Sequence, residues 1–172
     1  MRSFIESLVA ARIGATYNFY RDGERAALLR ARIARYLDAR AAAPILLVGE
    51  APGYRGTRVS GIPLTSERQL TGDGPAEATA TIVHRVLAEL GLTDEVLLWN
   101  VVPTHPGDER SNRAPTRAEV LEGAAFARRL ARRRTVVPVG RLAHAALGGA
   151  YVRHPSHGGA PAFADALRKL LA

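Results

Sequence analysis

The sequence predicts an α/β fold, a single three-layer α/β/α domain with a central four-stranded parallel sheet. Short apolar runs at 45–49, 95–101, 136–139 and 150–153 have the length and composition of buried strands. Between them lie stretches with apolar residues at helical spacing, long enough to cross back over a sheet. Strands that alternate with helices in this way are joined by right-handed crossovers, which makes the strands parallel and puts helices on both faces. With 172 residues, 47% of them hydrophobic, and no linker rich in proline and glycine, the chain reads as one domain, 1–172.

From the N-terminus, Arg2, Glu6 and Arg12 interrupt the first segment too early and too often for a signal-peptide core. Tyr17-Asn18-Phe19-Tyr20 is an aromatic cluster that reads as an apolar lid on the following helix or as a platform for stacking bases. From Asp22 to Ala41, apolar residues such as Ala27, Leu28, Ile33 and Leu37 recur among Arg and Asp, which predicts an amphipathic helix. Ile45 begins the first strand, which breaks off in Gly49-Glu50-Ala51-Pro52-Gly53. That turn has glycines that let a ligand approach the backbone, a stiffening proline and one carboxylate.

Tyr54 to Gly74 is long enough to predict a functional loop, and Pro75 to Leu90 a second helix stopped by Gly91. Glu95 to Val101 is the second strand, apolar until Asn100. Another loop, Val102 to Pro115, carries His105, Asp108, Arg110, Asn112 and Arg113. Thr116-Arg117-Ala118-Glu119 is a capping box for a helix reaching about Arg133. Val136 to Val139 is the third strand, with Pro138 marking an edge or an end. A short helix, Leu142 to Leu147, leads to a fourth strand, Ala150 to Arg153, and the turn His154-Pro155-Ser156-His157-Gly158-Gly159. The last helix is predicted from Ala162 to Leu171.

Ligands of such sheets bind beyond the carboxyl ends of the strands. Glu50, Asn100 and His154 stand at those ends and are expected to converge on one rim. Arg128, Arg129, Arg132, Arg133 and Arg134 end a helix that runs antiparallel to the strands, so they belong to the opposite rim, solvated and complementing the helix dipole. The arginines left near the site are Arg55, Arg58, Arg110, Arg113 and Arg153.

Lys and Arg total 24 against 16 acids, a formal charge of +8, which points to a polyanionic partner or to a compositional bias toward arginine, since Lys169 is the only lysine. The chain has no cysteine, so disulfides, iron–sulfur clusters and thiolate zinc sites are excluded. His105, His154 and His157 fit no common zinc spacing, and no metal or other cofactor is expected. No apolar run is long enough for a membrane span, and a soluble, cytoplasmic, monomeric protein is expected.

The ordered motifs GEAPG at 49–53, Gly61-Ile62-Pro63-Leu64, Asn100-Val101-Val102-Pro103, Asn112-Arg113-Ala114-Pro115-Thr116 and His154-Pro155-Ser156 resemble those of the uracil-DNA glycosylase superfamily. The GEAPG form is most similar to family 4, with family 5 close by. Family 4 enzymes carry an iron–sulfur cluster, for which this chain has no cysteine ligands. The resemblance implies a base flipped out of DNA into a pocket. It implies that Asn100 reads the base edge, that His154 donates toward the anion developing on the base, and that the Gly49–Gly53 loop holds the attacking water, with Glu50 its only carboxylate.

The residues also permit duller roles. Asn100 could cap its strand, His154 could fix its turn, and Glu50 could bind backbone or base. In the best-known branch the catalytic aspartate matches Ala51, the stacking aromatic matches Leu64, and a thymine-excluding tyrosine matches Gly53. Stacking is therefore expected from Tyr54, Phe19 or Tyr20, and DNA contacts from Arg55, Arg58, Arg113, Arg153, Ser156 and His157. The sole lysine lies far from the motifs, so a glycosylase here is expected to be monofunctional. The competing readings are an inactive binder of damaged or single-stranded DNA and a hydrolase of free nucleosides or nucleotides.

Overall fold

A computed structural model describes residues 2–156 and 158–171. Its sheet has three strands, all parallel: β1 (Ile45–Gly49), β2 (Val96–Asn100) and β3 (Thr135–Pro138), in the order β2-β1-β3. The chain thus reverses its winding at β1. Every residue of β1 and β2 is buried, as expected for strands covered on both faces.

The period-two alternation of the strands divides the core. Leu46, Val48, Leu97 and Trp99 face a cluster with helices α1 (Arg2–Ala10), α2 (Ala26–Ala39) and α6 (Arg117–Ala131). Ile45, Leu47, Val96 and Leu98 face the other, with α5 (Ala78–Glu89) and α8 (Ala160–Leu171). Helices therefore cover both faces in three layers.

The expected fourth strand is not formed. Only Val152 pairs there, as an isolated parallel bridge to Val139, with Val152 N–H donating to Pro138 O at 3.0 Å and Gly140 N–H donating to Val152 O at 2.8 Å. Pro138 explains the shortfall. Val139 N–H donates to Val48 O on the β1 side, so residue 138 faces the outer edge, and as proline it lacks the donor that a neighbouring strand needs. Gly148 and Gly149, both at positive φ, leave only a short extended stretch before Pro155.

Other departures are local. α1 was not expected, although Phe4, Ile5, Leu8 and Val9 have helical spacing; Phe4 packs edge-on against Trp99 at 5.5 Å between ring centres. The loop Tyr54 to Gly74 contains two short helices, α3 (Thr57–Ser60) and α4 (Glu67–Thr71). Glu67 ties α4 to α2 through Arg25 at 2.9 Å and Arg32 at 2.7 Å. The short helix α7 (Arg141–Leu147) follows β3. Arg134 is not simply solvated: its guanidinium donates to the carbonyls of Leu130, Ala41 and Ala43 at 2.7, 2.7 and 2.9 Å, tying the ends of α6 and α2 together.

Candidate functional site

Past the sheet, the ladder between β1 and β2 continues for two bonds, with Val101 N–H donating to Gly49 O at 2.9 Å and Val102 N–H to Glu50 O at 3.0 Å. These bonds pin the start of the motif loop. His105, fully buried, holds its middle, with Nδ1 2.7 Å from Pro52 O and Nε2 2.8 Å from Asp108 O. The far end is held by Asn112, whose Oδ1 accepts from Tyr54 N–H at 2.9 Å.

Asn100 pairs with Gly49 in the parallel register and is 1% exposed. Neither its amide nitrogen nor its amide oxygen has a hydrogen-bond partner among the described residues. Burying an unpaired amide costs about 1–3 kcal/mol, so a fold keeps one only where something else meets it. Gly49 makes the room: a Cβ there would stand 3.0 Å from Asn100 Oδ1 and 2.9 Å from Leu64 Cδ2. Leu64 has a left-handed φ of 51°, and its N–H donates to Thr57 Oγ1 at 3.1 Å. A branched side chain in that conformation is strained and needs its surroundings to hold it. His84 helps, with Nε2 2.9 Å from Thr65 Oγ1, and its burial holds its pKa below the usual value.

The loop opens on a cavity of about 410 Å³, lined by Glu50, Ala51, Pro52 and Gly53 on one side and by His154 and Ser156 on another. That volume suits a base with its sugar. Ser156 N–H donates to His154 Nδ1 at 3.2 Å, and Ser156 Oγ lies 2.8 Å from the same nitrogen. The tautomer in which Nδ1 accepts from Ser156 N–H puts the ring proton on Nε2. Gly159 closes the turn, since a Cβ there would collide with His154 O.

The structure brings Glu50, Ala51, Pro52, Gly53, His154 and Ser156 to one cavity, with Asn100 where the loop leaves the sheet. The expected phosphate contacts are more dispersed. Arg113 lines the cavity but is forked onto Glu119 at 2.6 and 2.7 Å, which holds the Glu119 pKa down at about 2. Arg58 lies over the Tyr17 ring at 5.1 Å, and Arg55 and Arg153 are exposed. His157 lies outside the described residues.

Phe19 and Tyr20 are corrected. Phe19 is 2% and Tyr20 0% exposed within the first core cluster, and Tyr20 Oη donates to Gly61 O at 2.8 Å, so neither presents a ring to this cavity. They form the buried lid rather than a stacking platform. Tyr54, partly buried, follows the lining residue Gly53 in the chain but does not itself line the cavity.

Sequence reasoning missed Glu77, which lines the same cavity from the N-cap of α5. A Cβ on either Gly53 or Gly56 would collide with its carboxylate, so the two glycines form the hollow in which it sits. Burial raises the pKa of Glu77 and of Glu50 above the ordinary carboxylate value. The available signal was an acid just ahead of an apolar helix, together with a second glycine at 56.

A sequence profile of the Uracil DNA glycosylase superfamily matches residues 36–169. No curated protein sequence matches the chain. Among solved structures, the crystal structure of wild-type SMUG2 from Pedobacter heparinus is similar, with a TM-score of 0.65 and 12% identity over 97% of each chain. At that identity the likeness is one of fold.

Proposed function

Since the chain belongs to the uracil DNA glycosylase superfamily, we propose that it is a monofunctional DNA glycosylase that removes uracil, or a related deaminated or oxidised base, from DNA. The observation that supports this reading most directly is the buried, unpartnered amide of Asn100. An amide offers one donor side and one acceptor side, which matches the adjacent carbonyl and N–H on a pyrimidine edge. A flipped base satisfies both at once, and an unmodified duplex does not present that edge outside the stack.

In this reading the C1′–N bond breaks through an oxocarbenium-like sugar, and negative charge gathers on the departing base. His154 donates from Nε2 to that charge, in the tautomer in which Nδ1 accepts from Ser156 N–H. Water attacks C1′ from the side of the motif loop, where Glu50 and Glu77 both line the cavity. Exposed Arg55 and Arg153 lie near the mouth in the chain and serve the DNA backbone.

The test is incubation with single-strand and duplex oligonucleotides carrying uracil, hypoxanthine, xanthine or hydroxymethyluracil, followed by alkaline cleavage of abasic sites. Strand cleavage after alkali, and not before, is expected with at least one lesion, and Asn100→Ala and His154→Ala are expected to slow base release more than they weaken binding. DNA binding that is salt-sensitive but yields no abasic product identifies a binder instead, a reading favoured by Ala51 in the cavity wall. Cleavage of free nucleosides without DNA binding identifies a nucleoside hydrolase.

A further inference from the structure

We propose that Glu77, and not Glu50, is the general base that takes the proton from the attacking water. The inference rests on the glycosylase reading above and names the residue that completes it.

The partly buried acids fall into two groups. Glu67 is gripped by Arg25 and Arg32, Glu119 is forked by Arg113, and Asp22 is paired with Arg21. Each of those carboxylates has its charge met by a guanidinium. Glu50 and Glu77 are the partly buried acids that have no ion pair among the described residues, and both line one cavity with Arg113, His154 and Ser156. A desolvated carboxylate without a cation is costly and keeps its lone pairs for a ligand or a water.

Glu77 is the better seated of the two. Its N–H donates to Ser66 Oγ at 2.8 Å, and its carbonyl accepts from Thr81 N–H at 3.1 Å and Thr81 Oγ1 at 3.2 Å. The backbone is therefore fixed from both sides, and the side chain lies in the hollow that Gly53 and Gly56 leave open. Two glycines shaped to one carboxylate place it against the loop whose own wall at residue 51 is a methyl group. A base must be held within hydrogen-bond reach of the proton it removes, and such a seat provides that.

The step balances without a cofactor. As the water oxygen bonds to C1′, its proton passes to the Glu77 carboxylate; the C1′–N pair leaves on the base, stabilised by His154, and the Glu77 proton returns through solvent to the free base. Burial favours the protonated form of Glu77, so it is expected to impose an acid limb on the rate at a higher pH than an ordinary glutamate does.

Single-turnover base release is measured from pH 4 to 9 for the wild type, Glu77→Gln, Glu50→Gln and Gly56→Ala. Glu77→Gln is expected to slow release by roughly 10²- to 10⁴-fold and to abolish the acid limb, the range for loss of a positioned base. Glu50→Gln is expected to keep the limb. Gly56→Ala pushes the carboxylate off its seat without changing the acid, and is expected to slow release while affinity for an abasic-site analogue holds, a separation that unfolding would not produce. Wild-type rates in Glu77→Gln, or a limb lost only with Glu50→Gln, overturn the assignment and leave the glycosylase reading intact. A wild-type protein inert on every lesion overturns both.

Discussion

Asn100 ends an apolar strand with a side chain that finds no partner among the described residues, a cost in stability that the proposed base contact would offset. Truncating an ordinary buried residue leaves a cavity, but Asn100→Ala also removes two unpaired polar groups whose burial costs about 1–3 kcal/mol. We therefore expect Asn100→Ala to leave the midpoint of urea unfolding nearly unchanged or raised, while base release falls; a drop of several kcal/mol in stability contradicts the orphaned amide. His105 is a contrasting residue. Both of its ring nitrogens face carbonyl oxygens, and it belongs to the scaffold of the motif loop rather than to its chemistry. Its buried position was not legible, because a histidine in a polar loop looks the same in sequence whether it faces solvent or Pro52.

At the scale of elements, helix α6 is anchored through Glu119 at its third position. That carboxylate accepts from Thr116 N–H at 2.8 Å and Ala15 N–H at 3.1 Å besides Arg113, joining the helix start to the segment after α1. The capping box was readable from Thr116 and Glu119, since it is a local pattern. The Arg113 and Ala15 contacts were not, because they depend on how distant segments pack. With its folded pKa lowered from 4.5 to about 2, Glu119 stabilises the fold fully above its unfolded pKa and loses that contribution as pH falls from about 5 toward 2. Allowing for the partial exposure of Arg113, the contribution is about 2 kcal/mol. The stability gap between wild type and Glu119→Gln is expected to be of that size in urea unfolding at pH 6 and to close by pH 2; a gap that persists unchanged at pH 2 removes the linkage. The lost fourth strand is an element-scale matter too. Pro138 signalled an edge, and the structure shows that the missing N–H faces the side where the extra strand was expected.

Over the whole molecule, the formal charge of +8 includes two separate sets of exposed arginines. Arg55 and Arg153 are exposed and neighbour residues of the cavity, whereas Arg132 and Arg133 follow the far end of α6, and Arg134 is occupied in joining helix ends. Each phosphate contact contributes about 0.9 to the slope of log affinity against log salt for duplex DNA. Substituting Arg55 and Arg153 together by alanine is expected to reduce that slope by about 1–2, and the same change at Arg132 and Arg133 to leave it nearly unaltered. Equal effects from the two pairs contradict the assigned DNA face. No helix among the described residues is long and apolar enough to cross a membrane.

The sequence by itself determined that the sheet is parallel with helices on both faces, and it pointed to the rim to which Glu50, Asn100 and His154 belong. Apolar period, turn residues and the alternation of strands with helices are local patterns, and the handedness of the crossovers converts them into a parallel sheet covered on both faces. The order β2-β1-β3 came from the tertiary structure. Tertiary structure alone decided that Phe19 and Tyr20 are buried, that Asn100 lacks a partner among the described residues, and that Glu77 reaches the hollow at Gly53 and Gly56. Those facts concern which side chains meet across loops, and such meetings depend on packing between segments that no periodicity connects.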